Sequence, residues 1–348
     1  LRGWWLRLAV SIGLGAVLLA LVQRDAAAIP ARITLGWPAI AAYAAWVIAF
    51  HGARAVRWHA FVAPLSASDG GGARVRWWVT SAVGLAGFTW MTLLPLRLGE
   101  LARPLLLAQA TGIPVARSLG SLALERVADG LVVAALFFTA VVGLPSTPEL
   151  APLRAAGVAI AAAFGGALVL LMAVARWPAT LERLVHATLG RVVPRMANGV
   201  AAVARDVAAG LAALPSAVPL LQFAAATAGY WVLNIAGTWW LARALGLDVS
   251  AVEAAGILAV LSLALLIPGG PAFVGNFQLG VALGLGAFAP AEQVARVGAE
   301  FALWAYVVQL VVVVGAGALA HLGLRLQPRA LWRPELWIAA PPRAEVPR

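Results

Sequence analysis

Apolar residues come in long unbroken runs along this chain, and the connections between the runs carry arginine. The runs do not alternate polar with apolar, so strands are not expected. A membrane span needs about 20 mostly apolar residues. Charge-poor windows predict spans at 8–23, 34–56, 118–143, 155–175, 218–242 and 297–322. Residues 176–215 break the pattern with Arg176, Glu182, Arg183, Arg191, Arg195, Arg205 and Asp206, and predict amphipathic helix on the membrane surface. The stretch 323–348 is basic and proline-rich and predicts a disordered cytoplasmic tail. The domain division is therefore 1–322, a single transmembrane domain, and 323–348.

Two apolar segments are interrupted. The run 77–96 stops at Pro95, passes Gly99 and resumes as the shorter, amphipathic piece 99–112. The charge-free window 254–291 is interrupted by Pro268, Gly269, Gly270 and Gly275. Broken backbone survives in a bilayer only where protein or a watery cavity satisfies the freed N–H and C=O groups. Paired interruptions in corresponding halves of a chain point to a transport site. The fold expected is all-α and polytopic, with about six full spans plus two re-entrant helical hairpins, 8–10 hydrophobic segments in all, arranged like an inverted repeat.

Composition agrees. The chain is 63% hydrophobic and 11% charged, against roughly 25% charged in soluble domains. The net charge is +11, and every basic residue is arginine. Those arginines lie between apolar runs, where they set topology and meet anionic headgroups rather than nucleic acid. With no cysteine and four histidines lacking ligand spacing, neither a metal site nor a cofactor is expected.

Arginine placement also gives sidedness. Arg2 and Arg7, then Arg54, Arg57, Arg74 and Arg76, then the 176–215 connection, then Arg325, Arg329 and Arg333 all fall on one side. That side is cytoplasmic by the positive-inside rule. Both termini are then cytoplasmic in a bacterial-type inner membrane, and the two hairpins open to opposite faces. Two full spans per hairpin would give the same charge distribution.

The candidate chemistry lies at the interruptions. Arg97 and Arg103 can grip phosphate bidentately, and Glu100 can orient an arginine or meet a cationic headgroup. The same arginines could instead snorkel to lipid phosphates without specificity. Glu125, Arg126 and Asp129 share a helix, with spacings that allow pairing. Charges inside a span cost about 2.5–3.5 kcal/mol each and face a cavity or a partner. They form either a polar wall opposite Arg97 and Arg103 or an ion pair tying this helix to the first hairpin. After Pro268, a helix restarting near Phe273 would present its positive end to an anion. Asn276 and Gln278 add neutral hydrogen-bonding groups there. Asn234, Glu300 and Gln309 are expected to bond between helices. His51, Arg54, Arg57 and His59 are expected to mark a cytoplasmic helix end. No nucleophile elbow, P-loop or paired-Asp motif is present, so moving a molecule is favoured over transforming one.

The run Leu94-Pro-Leu-Arg-Leu-Gly-Glu-Leu-Ala-Arg103, then Glu125-Arg-Val-Ala-Asp129, then Ile267-Pro-Gly-Gly-Pro-Ala-Phe-Val-Gly-Asn-Phe-Gln278 resembles the flippase-like membrane domain of the lysylphosphatidylglycerol synthase family. The resemblance extends over nearly the whole chain. It implies a helical domain that moves phospholipids between leaflets, aminoacylated phosphatidylglycerol in bifunctional members. Pro95, Arg97, Gly99, Glu100, Arg103, Glu125, Arg126, Asp129, Pro268 and Gly275 match the family pattern. Two departures stand out. No aminoacyl-transferase domain is expected after residue 323, so this chain should not synthesise lysylphosphatidylglycerol. Gln278 stands where many relatives carry an acidic residue. The expected activity is lipid translocation of a phospholipid or lipid-linked headgroup. The alternative is an integral membrane enzyme or accessory factor of lipid or isoprenoid-glycan assembly. The oligomeric state is left open, a homodimer included.

Overall fold

A computed structural model describes residues 30, 32–67, 75–94, 99–113, 115–142, 151–188, 217–267 and 270–327, with isolated residues 13, 190, 194, 198 and 201. The expected first span 8–23, Pro95, Arg97, Pro268 and Gly269, most of 189–216 and the chain after 327 lie outside the described residues.

The described residues form helices α1 (Trp37–Ala67), α2 (Trp77–Leu93), α3 (Ala102–Thr111), α4 (Val115–Val142), α5 (Ala151–Arg176) and α6 (Pro178–Thr188). These are followed by α7 (Ala217–Ala244), α8 (Ala251–Ala264), a 3-10 turn (Pro271–Phe273), α9 (Asn276–Phe288) and α10 (Ala291–Leu324). No strand occurs among the described residues. Among the described residues, three segments are long and apolar enough to cross a membrane, Trp37–Ala63, Pro271–Phe288 and Ala291–Leu324.

One expected boundary moves. The second span was expected over 34–56, but α1 continues unbroken to Ala67. At 1.5 Å per residue it is about 46 Å long, well beyond a ~30 Å hydrocarbon core. His51, Arg54 and Arg57 therefore sit inside a helix rather than at its end. The tail expected over 323–348 lies mostly outside the described residues. α10 runs to Leu324, and the Gln327 N–H donates to Gln109 Oε1 at 3.0 Å.

α1 and α7 pack antiparallel along their length. Gly237 lies against Trp46, Phe50 lies near Tyr230, and Phe61 stacks on Phe223 at 4.0 Å. The end of the bundle where α1 finishes is thus the end where α7 starts. α2 starts from that end, and α3 runs back alongside it: Gly99 lies against Trp90, and Arg103 crosses Gly87. The second hairpin starts from the other end, where α7 finishes. There α9 folds back on α8, with Gly280 against Leu261 and Gly284 against the Ile257 backbone. Gly280 and Gly284 form a small-xxx-small face that lets the two backbones approach closely. Each hairpin returns to the end it came from, and the two start from opposite ends.

The interrupted tips approach one another. The C-terminal part of α2 packs on the 3-10 turn, and Thr92 shares a lining with Ala272 and Phe273. α10 passes both: Thr89 on α2 donates to the Val313 carbonyl at 2.7 Å, and Tyr306 donates to the Ala272 carbonyl at 2.9 Å.

Candidate functional site: an ion lattice beneath a cavity

The site is built on α1, α3 and α4. Glu125 on α4 is fully buried, which a carboxylate tolerates only with partners. It has three. Arg103 from α3 donates to both its oxygens at 3.0 and 2.6 Å. Arg57 from α1 approaches Oε1 at 3.0 Å, and Arg126 donates to the same oxygen at 2.8 Å. Asp129, one turn further on, accepts from both terminal nitrogens of Arg57 at 2.6 and 3.0 Å. It also accepts from the Trp231 indole at 3.3 Å and lies 3.7 Å from Arg126.

Local sequence explains how these groups meet. A Cβ on Gly87 would lie 1.9 Å from Arg103 Cγ, so only glycine lets that side chain cross α2 to reach Glu125. Aromatic faces replace water around the cations. The Arg103 guanidinium stands 4.4 Å from the Trp58 ring centre, and that of Arg57 stands 5.0 Å from Tyr230.

Beside the lattice lies a cavity of about 190 Å³. It reaches from Asp129 and Arg126 to the tips of the two hairpins, Met91 and Thr92 on one and Leu265, Leu266 and Phe273 on the other. Its remaining polar wall is His51, Arg54, Tyr230, Asn234, Ser262 and Gln309. Leucine and phenylalanine side chains supply most of the rest. A polar patch inside an apolar chamber suits an amphipathic ligand.

The expected site residues do not all meet at the cavity. Arg126 and Asp129 are on the cavity wall. Arg103 and Glu125 are in the lattice behind it, with Arg103 only 1% exposed. Their geometry is that of the structural tie between the first hairpin and α4. Glu100 lies in the 3-10 turn Gly99–Leu101, within electrostatic reach of Arg126. Arg97 lies outside the described residues.

Asn276 and Gln278 are not on the cavity wall. Asn276 is fully buried, and its amide donates to the carbonyls of Ala264 at 3.1 Å and Ile267 at 2.8 Å. The Ala264 oxygen also accepts from the Ile267 N–H at 3.2 Å, while the Ile267 oxygen lies past the end of α8, where helical partners run out. Gln278 folds back to accept from the Gly275 N–H at 2.9 Å. Gly275 has φ 87°, a conformation glycine adopts without strain. Helix α9 begins at Asn276 rather than near Phe273, and its first turn is capped by its own side chain. Ala272 and Phe273 both hold φ near 57°. Non-glycine residues pay for that conformation, and such strain concentrates at functional turns.

Helix α1 contributes residues that were expected only to mark a cytoplasmic helix end. His51 and Arg54 face the cavity, and Arg57 enters the lattice. The signal was present as spacing: His51, Arg54 and Arg57 recur every third residue and cover one arc of a helix. Asn234 and Gln309 were expected to pack between helices, yet both reach the cavity wall. Glu300 binds a loop, accepting from the N–H groups of Thr34 and Leu35 and from the Thr34 hydroxyl, and it also accepts from the Trp304 indole on its own helix at 3.3 Å. His59 lies 3.0 Å from the Thr80 hydroxyl, away from the cavity.

Searches against curated proteins and against solved structures returned no significant match. A family model does match, that of the lysylphosphatidylglycerol synthase transmembrane region, over residues 4–317. A helical chain built of membrane-length apolar segments and matched over that range belongs to the lysylphosphatidylglycerol synthase transmembrane-region family.

Proposed function

We propose that this protein translocates a lipid between the leaflets of a bacterial-type inner membrane. The observation that carries the reading is the cavity: a charged and aromatic chamber of about 190 Å³ placed where two interrupted hairpins from opposite ends of the bundle meet. One short arm in each hairpin supports insertion from one face: α3 and α8 have 10 and 14 residues, or about 15–21 Å of helix, against a ~30 Å core. In this reading both hairpins are re-entrant and open to opposite faces, and the termini are cytoplasmic. The headgroup enters the chamber while the acyl chains stay in the bilayer. The two tips that share the chamber would then move against one another as access alternates.

The test uses purified protein in liposomes with a headgroup-labelled phospholipid and an impermeant quencher. Label in the inner leaflet should become quenchable at least tenfold faster than in protein-free vesicles. Asn234→Trp, which fills the chamber from α7, should remove the acceleration. Wild-type vesicles no faster than empty ones would overturn the reading. A new lipid product in the same vesicles would favour an enzyme of lipid assembly.

A further inference from the structure

We infer that the chamber selects a phosphate ester of net negative charge, and disfavours a cationic, aminoacylated headgroup. This deepens the translocator reading and rests on it for the lipid as the source of the phosphate. The first observation is a charge count over described residues. Arg54, Arg57, Arg103 and Arg126 meet Glu100, Glu125 and Asp129, so the site carries one more positive charge than negative. The surplus can be placed. Arg57, Arg103 and Arg126 all contact a carboxylate within 3.0 Å. Arg54, among the described residues, contacts no carboxylate within ion-pair distance. Its guanidinium lies on the Phe88 ring, 4.0 Å from the centre, and it borders the chamber.

The second observation is independent of charge. His51, three residues before Arg54 and on the same wall, is 3% exposed. Neither of its ring nitrogens has a hydrogen-bond partner. The Nε–H groups of Arg54 and Arg126 are likewise unpartnered. Buried polar groups left without partners cost stability and are uncommon in folded proteins. Other unpartnered groups, such as the Nε–H of Arg57 and Arg103, lie off the chamber wall; the three residues on the wall, His51, Arg54 and Arg126, present donors or, in the case of His51, a group that can be one. What they lack in common is an acceptor. A phosphate offers several anionic oxygens and binds guanidinium bidentately. An ammonium offers none, and it would meet Arg54 and Arg126 as like charges. The carboxylates that could receive it are already held, Glu125 by three arginines and Asp129 by Arg57.

Two measurements separate this inference from the translocator reading. In the liposome assay, labelled phosphatidylglycerol should move at least tenfold faster than lysylphosphatidylglycerol. Arg54→Gln should slow phosphatidylglycerol by about that factor, and Arg54→Lys by much less. His51→Phe should weaken it while leaving the detergent-solubilised protein monodisperse. Equal rates for both lipids, or a faster cationic lipid, would overturn the inference and leave translocation standing. Equilibrium binding of the same lipids to protein in micelles is the second measurement. If no lipid crosses but phosphatidylglycerol binds tenfold more tightly than its lysyl ester, and Arg54→Gln abolishes the difference, the inference holds and the translocator reading falls. Glycerol phosphate that binds as tightly as the lipid would keep the anion site and make its ligand a solute. Binding blind to headgroup charge, or unchanged in Arg54→Gln, would refute it.

Discussion

At the scale of single residues, Glu125 decides whether the ion lattice holds together. Three arginines converge on its fully buried carboxylate. Glu125→Ala leaves those cations facing one another, and breaking a buried pair from one side costs about 3–5 kcal/mol. Chemical denaturation in micelles should show a loss of that size. The double variant Arg103→Met with Glu125→Met should lose less, because it removes a cation together with the carboxylate and keeps Arg57 on Asp129. A double variant as damaged as Glu125→Ala alone would contradict the lattice geometry. The sequence made Glu125, Arg126 and Asp129 conspicuous because charges in an apolar run are costly and need partners. It hid Arg54 and Arg57. Basic residues at the end of an apolar run have an ordinary meaning as cytoplasmic anchors. Only the continuation of α1 to Ala67 turns that end into the middle of a helix.

At the scale of elements, the second interruption is held by side chains that resemble ligand groups in sequence. Polar amides after a proline–glycine break suggest a binding site, yet Asn276 spends its donors on two carbonyls at the end of α8. That use depends on a contact 9 to 12 residues away, which residue spacing alone does not specify. The hairpin itself was legible, since proline and glycine interrupt a helix for local steric reasons. Asn276→Ala removes the side-chain donor from the Ile267 carbonyl, at about 1–3 kcal/mol for a buried unsatisfied group, while the Ala264 carbonyl keeps the Ile267 N–H. Gln278→Ala removes a cap whose loss costs about 1 kcal/mol. Hydrogen exchange through residues 265–275 should therefore accelerate more in Asn276→Ala than in Gln278→Ala. Neither variant should alter the preference between anionic and cationic lipid, because neither side chain borders the chamber. A changed preference in Gln278→Ala with its stability intact would return that residue to the binding site.

At the scale of the molecule, the question is how the two hairpins relate to the membrane. Arginine counting gave opposite openings but fitted full spans equally well, because two crossings and no crossing return the chain to the same face. The fold supplies a different argument. α1 and α7 are antiparallel, α2 leaves from the end where α1 finishes, and α8 leaves from the end where α7 finishes. Each hairpin then folds back along itself through glycine contacts. The chain has no native cysteine, so single substitutions report sidedness without a background. Trp77→Cys and Thr111→Cys bracket the first hairpin, and Val252→Cys and Ala291→Cys bracket the second. In intact cells or oriented vesicles, an impermeant maleimide should label 77 and 111 from one face only, and 252 and 291 from the other only. Labelling of 77 and 111 from opposite faces would mean that the chain between them crosses once, so the first hairpin would not return to the face it came from. All four labelling from a single face would remove the opposed openings, and with them the reason for two interrupted tips to meet at one chamber. The pattern expected here instead lets the chamber be reached from either leaflet in turn, with Thr92 on one side of the contact and Phe273 on the other. A variant that locks this contact, Thr92→Cys with Phe273→Cys, should stop lipid movement when oxidised and restore it when reduced.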